Sequence, residues 1–135
     1  MICNKLNNKT MTQTEKDLLL KDLCARAPYG IKCSCYDGRL IATLTGVKSD
    51  TELYFQEFDW KEDNGIIEVE FCKPYLLPLS SMTEVQLKLF DGVFLPNGHV
   101  VASDLGLDYL NSIYIDYRGL IPMGLALDAT GLNIY

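Results

Sequence analysis

The chain of 135 residues has no run approaching the ~18 consecutive apolar residues of a membrane span. Its opening stretch, MICNKLNNKT, is polar and lacks the apolar core of a signal peptide, so a cytoplasmic location is the expectation. Basic residues are scarce: 12 Lys and Arg stand against 18 Asp and Glu, for a net charge of −6 and a pI near 4.6. Nucleic-acid affinity comes from Lys and Arg neutralising phosphates, and no basic run is present, so the chain is expected to be a poor nonspecific nucleic-acid binder. Aromatic residues are not interleaved with basic ones, which leaves a base-stacking platform unsupported. There is one histidine, His99, in a turn-rich stretch. Any Cys–His or Ser–His nucleophilic pair would have to use it, and no G-x-S-x-G elbow accompanies it. Neither G-x-x-x-x-G-K-[ST] nor G-x-G-x-x-G occurs, so no phosphate-cradling loop and no cofactor are indicated.

Cysteine is present but unpaired in number: Cys3, Cys24, Cys33, Cys35 and Cys72. An odd count without a secretion signal argues for reduced thiols. Cys33-x-Cys35 is a metal-site fragment, but zinc wants four ligands. A second pair from Cys24, Cys72 or His99 has no recognisable spacing. No metal is expected, and the two cysteines read as small hydrophobes on an apolar strand face.

Apolar residues make up 48% and charged residues 22%, a globular composition. A polar leader over 1–11 precedes a single domain over 12–135. Thr12-Gln13-Thr14-Glu15 is a capping box that opens a helix over 13–26. Leu19, Leu20, Leu23 and Ala27 form its apolar stripe, with Lys16, Asp17, Lys21, Asp22 and Arg26 mostly on the other side. Pro28 and Gly30 end the unit.

Asp37-Gly38 predicts a two-residue hairpin turn that pairs Tyr36 with Arg39, Cys35 with Leu40, Cys33 with Ala42 and Ile31 with Leu44. Asn64-Gly65 predicts a second hairpin, with Trp60 opposite Val69, Phe58 opposite Phe71, Lys61 opposite Glu68 and Asp59 opposite Glu70. The strands then run near 31–36, 39–46, 52–61 and 66–72. Pro74 and Pro78 speak against a regular strand or helix beyond them. Ser81-Met82-Thr83-Glu84 is a second capping box, opening a helix to about Phe90. Asp91-Gly92 and Pro96-Asn97-Gly98 are turns, and Ser103 or Asp104 caps a third helix over about 104–114. The tail is apolar enough to pack on the body. The expected fold is α+β: a four-stranded antiparallel meander with one helix before it and two after, packed on one face.

Three segments stand out: Leu18–Gly30 (LLLKDLCARAPYG), Lys73–Glu84 (KPYLLPLSSMTE) and Asp116–Ile121 (DYRGLI). Each sets charged residues and tyrosine beside a Gly or Pro bend. Arg26, Tyr29, Lys73, Tyr75, Asp116, Tyr117 and Arg118 are therefore the candidate binding residues, because tyrosine and arginine favour binding hot spots. The alternative is that Asp116 and Arg118 cap or pair locally while the tyrosines close the core.

These segments resemble a family of small proteins of gut Bacteroides-type bacteria and their phages and prophages. The family pattern runs LLLKDLCARLPYGV, VKPYLRPLSSMTEEE and LNxHxxDYRGLIxxGLA. The matching stretches here are Leu18–Ile31, Cys72–Glu84 and Leu110–Ala126, in the same order along the chain. Ala27 and Leu77 replace the usual Leu and Arg, and Ser112-Ile113-Tyr114 lacks the usual histidines, so a role carried by that Arg or His does not transfer. The resemblance implies a mobile-element or phage context, with no known activity and no cofactor.

The expected function is a noncatalytic module that binds a protein partner. Two alternatives remain: a small enzyme with a site near Lys73, His99 and Asp116, and a specific nucleic-acid-binding accessory protein with a basic face from Lys21, Arg26, Lys73 and Arg118.

Overall fold

The computed structural model describes residues 11–56, 65–96 and 99–135. Helix α1 (Gln13–Arg26) opens with the expected reciprocal cap: the Thr12 hydroxyl accepts the Glu15 N–H at 3.1 Å and the Glu15 carboxylate accepts the Thr12 N–H at 2.9 Å. A 3₁₀ turn over Ala27–Tyr29 and a left-handed Gly30 (φ 71) then deliver the chain to the sheet. Strands β1 (Lys32–Cys35), β2 (Leu40–Val47), β3 (Glu52–Gln56) and β4 (Gly65–Glu68) follow. The first hairpin has the expected register, with Cys33 opposite Ala42 and Cys35 opposite Leu40. Its turn differs in one respect: Tyr36 (φ 53) joins Asp37 and Gly38 in the left-handed region.

The second hairpin is corrected. Leu53 lies opposite Ile67 and Glu52 opposite Glu68. Val69 and Phe71 lie beyond the strand: Val69 N–H donates to Thr51 O at 2.9 Å, and Tyr36 N–H donates to Phe71 O at 2.9 Å. The expected partners Phe58, Asp59, Trp60 and Lys61 lie outside the described residues. Asn64 of the expected turn lies outside the described residues as well; in the register seen, Ile67 lies opposite Leu53 and reaches the core with Val69.

The four-stranded meander is likewise corrected to a six-stranded mixed sheet in the order β4-β3-β2-β1-β5-β8. Strand β5 (Cys72–Leu76) runs antiparallel to β1, and β8 (Leu127–Asp128) runs parallel to β5. Pro74 sits inside β5, opposite Cys33. The Tyr36–Phe71 bond sets the alternation, so Ser34 and Lys73 form the next bonded pair and Cys33/Pro74 is a non-hydrogen-bonded pair. Pro74 therefore has no donor to lose toward β1, which is how a strand admits proline.

Only Val69–Phe71, one 3₁₀ turn, separates β4 from β5. Extended chain from Glu68 to Cys72 spans at most ~14 Å. In a flat sheet of this order the two strands would stand four spacings, ~19 Å, apart. The sheet must therefore curl toward closure. A bulge in β2 between Leu44 and Gly46 supplies local bending. Leu19 and Leu23 of α1 join Ile31, Cys33, Cys35, Leu44, Leu53, Phe55, Val69, Cys72 and Leu76 in the main core.

The remaining elements form a second, smaller lobe. A 3₁₀ turn (Leu79–Ser81) leads to α2 (Glu84–Leu89), hairpin β6/β7 (Gly92–Phe94, Val100–Ala102) and α3 (Asp104–Ser112). The cap of α2 is Thr83 with Gln86, two residues later than expected, because the Ser81 hydroxyl donates to Pro78 O at 2.6 Å. Met82, Phe90, Leu110 and Ile115 make a separate core here. The expectation that all three helices pack on the sheet is thus corrected: α1 shares the sheet's core, α3 contributes Leu110 to the second core, and α2 buries no residue.

Gly106 locks this lobe. A Cβ there would overlap the Asp91 carbonyl oxygen, a backbone atom that cannot turn aside. Ordinary exposed helical Gly→Ala changes stabilise by up to ~1 kcal/mol. Here Gly106→Ala is expected to destabilise by at least ~1 kcal/mol in urea unfolding. A gain in stability would show that α3 does not press on the Asp91 backbone.

Candidate functional site

Helical spacing puts Leu19, Asp22, Leu23 and Arg26 on one stripe of α1, and all four are fully buried. Asp22 and Arg26 were expected mostly on the outer side, and the structure corrects this. Arg26 Nε and Nη2 donate to Asp22 Oδ2 and Oδ1 at 2.9 and 3.0 Å, a bidentate i,i+4 pair inside the protein. Arg26 Nη2 also donates to the Ile115 carbonyl at 2.7 Å. Arg118 Nη1 donates to Asp22 Oδ1 at 2.6 Å, so one carboxylate holds two guanidinium groups. Both guanidinium carbons lie near the Tyr117 ring, at 5.3 Å for Arg26 and 4.6 Å for Arg118 from its centroid. The electron-rich ring face partly offsets the excess positive charge. Arg26 Nη1 is the buried side-chain nitrogen left without a hydrogen-bond partner among the described residues.

The DYRGLI segment is built around Asp116. Its Oδ1 accepts the Leu120 N–H and its Oδ2 the Ile121 N–H, each at 2.8 Å, and Gly119 (φ 76) allows the tight turn between. The segment also pairs with the second motif: Leu77 N–H donates to Tyr114 O, and Asp116 N–H to Leu77 O, both at 2.8 Å. Tyr117 hydroxyl donates to Asn111 Oδ1 of α3 at 3.0 Å. The three motifs, far apart in sequence, thus meet at one joint between α1, the end of β5 and the chain after α3.

A tyrosine stack closes the neighbouring side. Tyr114 (φ 64) turns the chain out of α3, and its hydroxyl donates to Tyr29 O at 2.6 Å. Its ring stacks on Tyr135 with centroids 3.6 Å apart. The Tyr135 hydroxyl accepts the Lys32 N–H at 3.0 Å and donates to Tyr75 O at 2.7 Å. Burial raises the Tyr135 phenol above the usual tyrosine range.

The sequence-derived candidates fall into two groups. Arg26, Asp116, Tyr117 and Arg118 converge through side chains. Tyr29 and Tyr75 contribute backbone carbonyls, and their half-buried side chains, like that of Lys73 opposite Ser34, do not enter the network. Arg26 is fully buried and paired, so it cannot line an exposed basic face with Lys21, Lys73 and Arg118. Lys73 lies in β5, His99 just before β7 and Asp116 in the chain after α3, and both oxygens of Asp116 are engaged by backbone. Among the described residues no three His, Cys, Asp or Glu side chains converge as metal ligands, and no helix is long and apolar enough to cross a membrane.

No family model, curated protein or solved structure matches the chain. Asp22, Asn111, Tyr114 and Tyr135 were missed from the sequence. Asp22 and Arg26 did leave a signal, since they fall four apart on the Leu19/Leu23 stripe.

Tyr117 separates the network's parts experimentally. Tyr117→Phe should cost ~1 kcal/mol, the worth of the Asn111 hydrogen bond. Tyr117→Leu, which also removes the ring from beside two guanidiniums, should cost ~1–2 kcal/mol more in the same unfolding assay. Equal losses would remove the ring from the account.

Proposed function

We propose that this protein is a noncatalytic, cytosolic interaction module of phage or mobile-element context that binds a protein partner. The observation that carries the reading is the apolar surface of the second lobe. Val85 and Leu89 lie four apart on α2 and are 65% and 64% exposed; Val93 and Val101 face each other across the β6/β7 hairpin, each 58% exposed; Leu105 on α3 is 78% exposed. A small lobe with its own core and this much exposed aliphatic surface suits burial against another protein. Over 83–112 only Lys88 opposes Glu84, Asp91, Asp104 and Asp108, so the complementary partner is an apolar segment flanked by Lys or Arg. Arg26, Tyr117 and Arg118 of the motifs act from beneath: they tie α1 to the chain that leaves the lobe.

Affinity capture from the native host tests the reading. Wild-type bait should recover a protein that a Val93→Asp/Leu105→Asp bait loses at least tenfold, with its thermal midpoint unchanged, while Tyr29→Ala/Tyr75→Ala bait keeps it. Equal recovery on all baits would overturn this surface.

A further inference from the structure

Cys35 on β1 and Cys72 on β5 are directly opposite one another, and their sulfurs lie 3.9 Å apart. The Tyr36 N–H to Phe71 O bond places them at a non-hydrogen-bonded position of the ladder. Opposed residues there have Cα atoms ~4.5 Å apart, within the ~4.4–6.8 Å that a disulfide accepts. Cys33 pairs instead with Pro74, so it reaches Cys72 only along the longer diagonal. Cys24, exposed on α1, is not part of the cluster.

We propose that Cys35 and Cys72 are an oxidisable pair that closes to an intramolecular disulfide, stapling β1 to β5 without altering the sheet register. The contact between the two sulfurs lowers the Cys35 thiol's pKa, while the same contact and then burial raise that of Cys72, so Cys35 is the attacking sulfur. With hydrogen peroxide as oxidant, the Cys35 thiolate takes one peroxide oxygen to become a sulfenic acid and hydroxide leaves. The Cys72 sulfur then displaces hydroxide from the sulfenic sulfur. Two thiols and one peroxide give one disulfide and two waters. The bond would join β1 to the start of β5, the strand that leads into the second lobe.

The test exposes the reduced full-length chain to hydrogen peroxide, and separately refolds it in a glutathione redox buffer so that burial of the sulfurs does not decide the result. Free thiols are then blocked with N-ethylmaleimide before tryptic mass mapping. The expected product is a linkage between the peptides over 33–39 and 62–88, lighter by two hydrogens than their sum. It should persist in Cys33→Ser and vanish in Cys35→Ser and Cys72→Ser. The linked protein should melt higher by roughly 5–15 °C. A linkage that survives Cys35→Ser, dimers joined only through Cys24, no linkage in either arm, or a lowered midpoint would each overturn the proposal.

Discussion

One buried carboxylate organises the junction of this protein. Asp22 is fully enclosed, and an isolated charge there would cost several kcal/mol of lost solvation. It is held by Arg26 one turn along α1 and by Arg118 from nearly a hundred residues away. Each arginine then reaches further, Arg26 to the Ile115 carbonyl and both to the Tyr117 ring. The carboxylate thus sets the position of α1 relative to the chain that leaves α3. Buried ion pairs are poor stabilisers compared with apolar packing, but they are demanding about geometry. That property suits a joint, where two small cores must meet in one arrangement.

A second constraint is covalent. The 3₁₀ turn between β4 and β5 is too short for a flat sheet, so the pairing of β5 with β1 requires the sheet to curl. That pairing carries KPYLLP to the end of the sheet, where Leu77 meets Tyr114 and Asp116. The three unusual motifs are therefore neighbours because the sheet curls. Without the curl, Asp116 and Arg118 would have no α1 to join.

Local chemistry was legible in the sequence; long-range pairing was not. The Thr12 cap, the end of α1 near Arg26 and the Cys33/Ala42 and Cys35/Leu40 register all follow from residues close along the chain. The second hairpin misled because Asn64-Gly65 offers a good turn, whereas the actual register is decided by whether Ile67 and Val69 reach the core. Pro74 was read as a strand breaker, although a non-hydrogen-bonded position tolerates it. The parallel β8 has only two residues, too few for any periodicity to show. For the site, Arg26, Asp116, Tyr117 and Arg118 were singled out as binding candidates, and the structure brings these four to one largely buried joint. Asp22 was not, because a charged residue on a helix is ordinarily assigned to solvent unless its partner's burial is known.

The central claim is that Asp22 and Arg26 act as one buried unit on which the joint depends. A double-mutant cycle with Asp22→Leu and Arg26→Met, read by urea unfolding at neutral pH, tests it most directly. Asp22→Leu strands the fully buried Arg26 and should cost about 3–5 kcal/mol. Arg26→Met leaves Asp22 with Arg118 alone and should cost about 1–3 kcal/mol. The double change should cost less than the sum, giving a coupling of at least ~2 kcal/mol. Additive losses, or single changes costing under ~1 kcal/mol, would contradict the account.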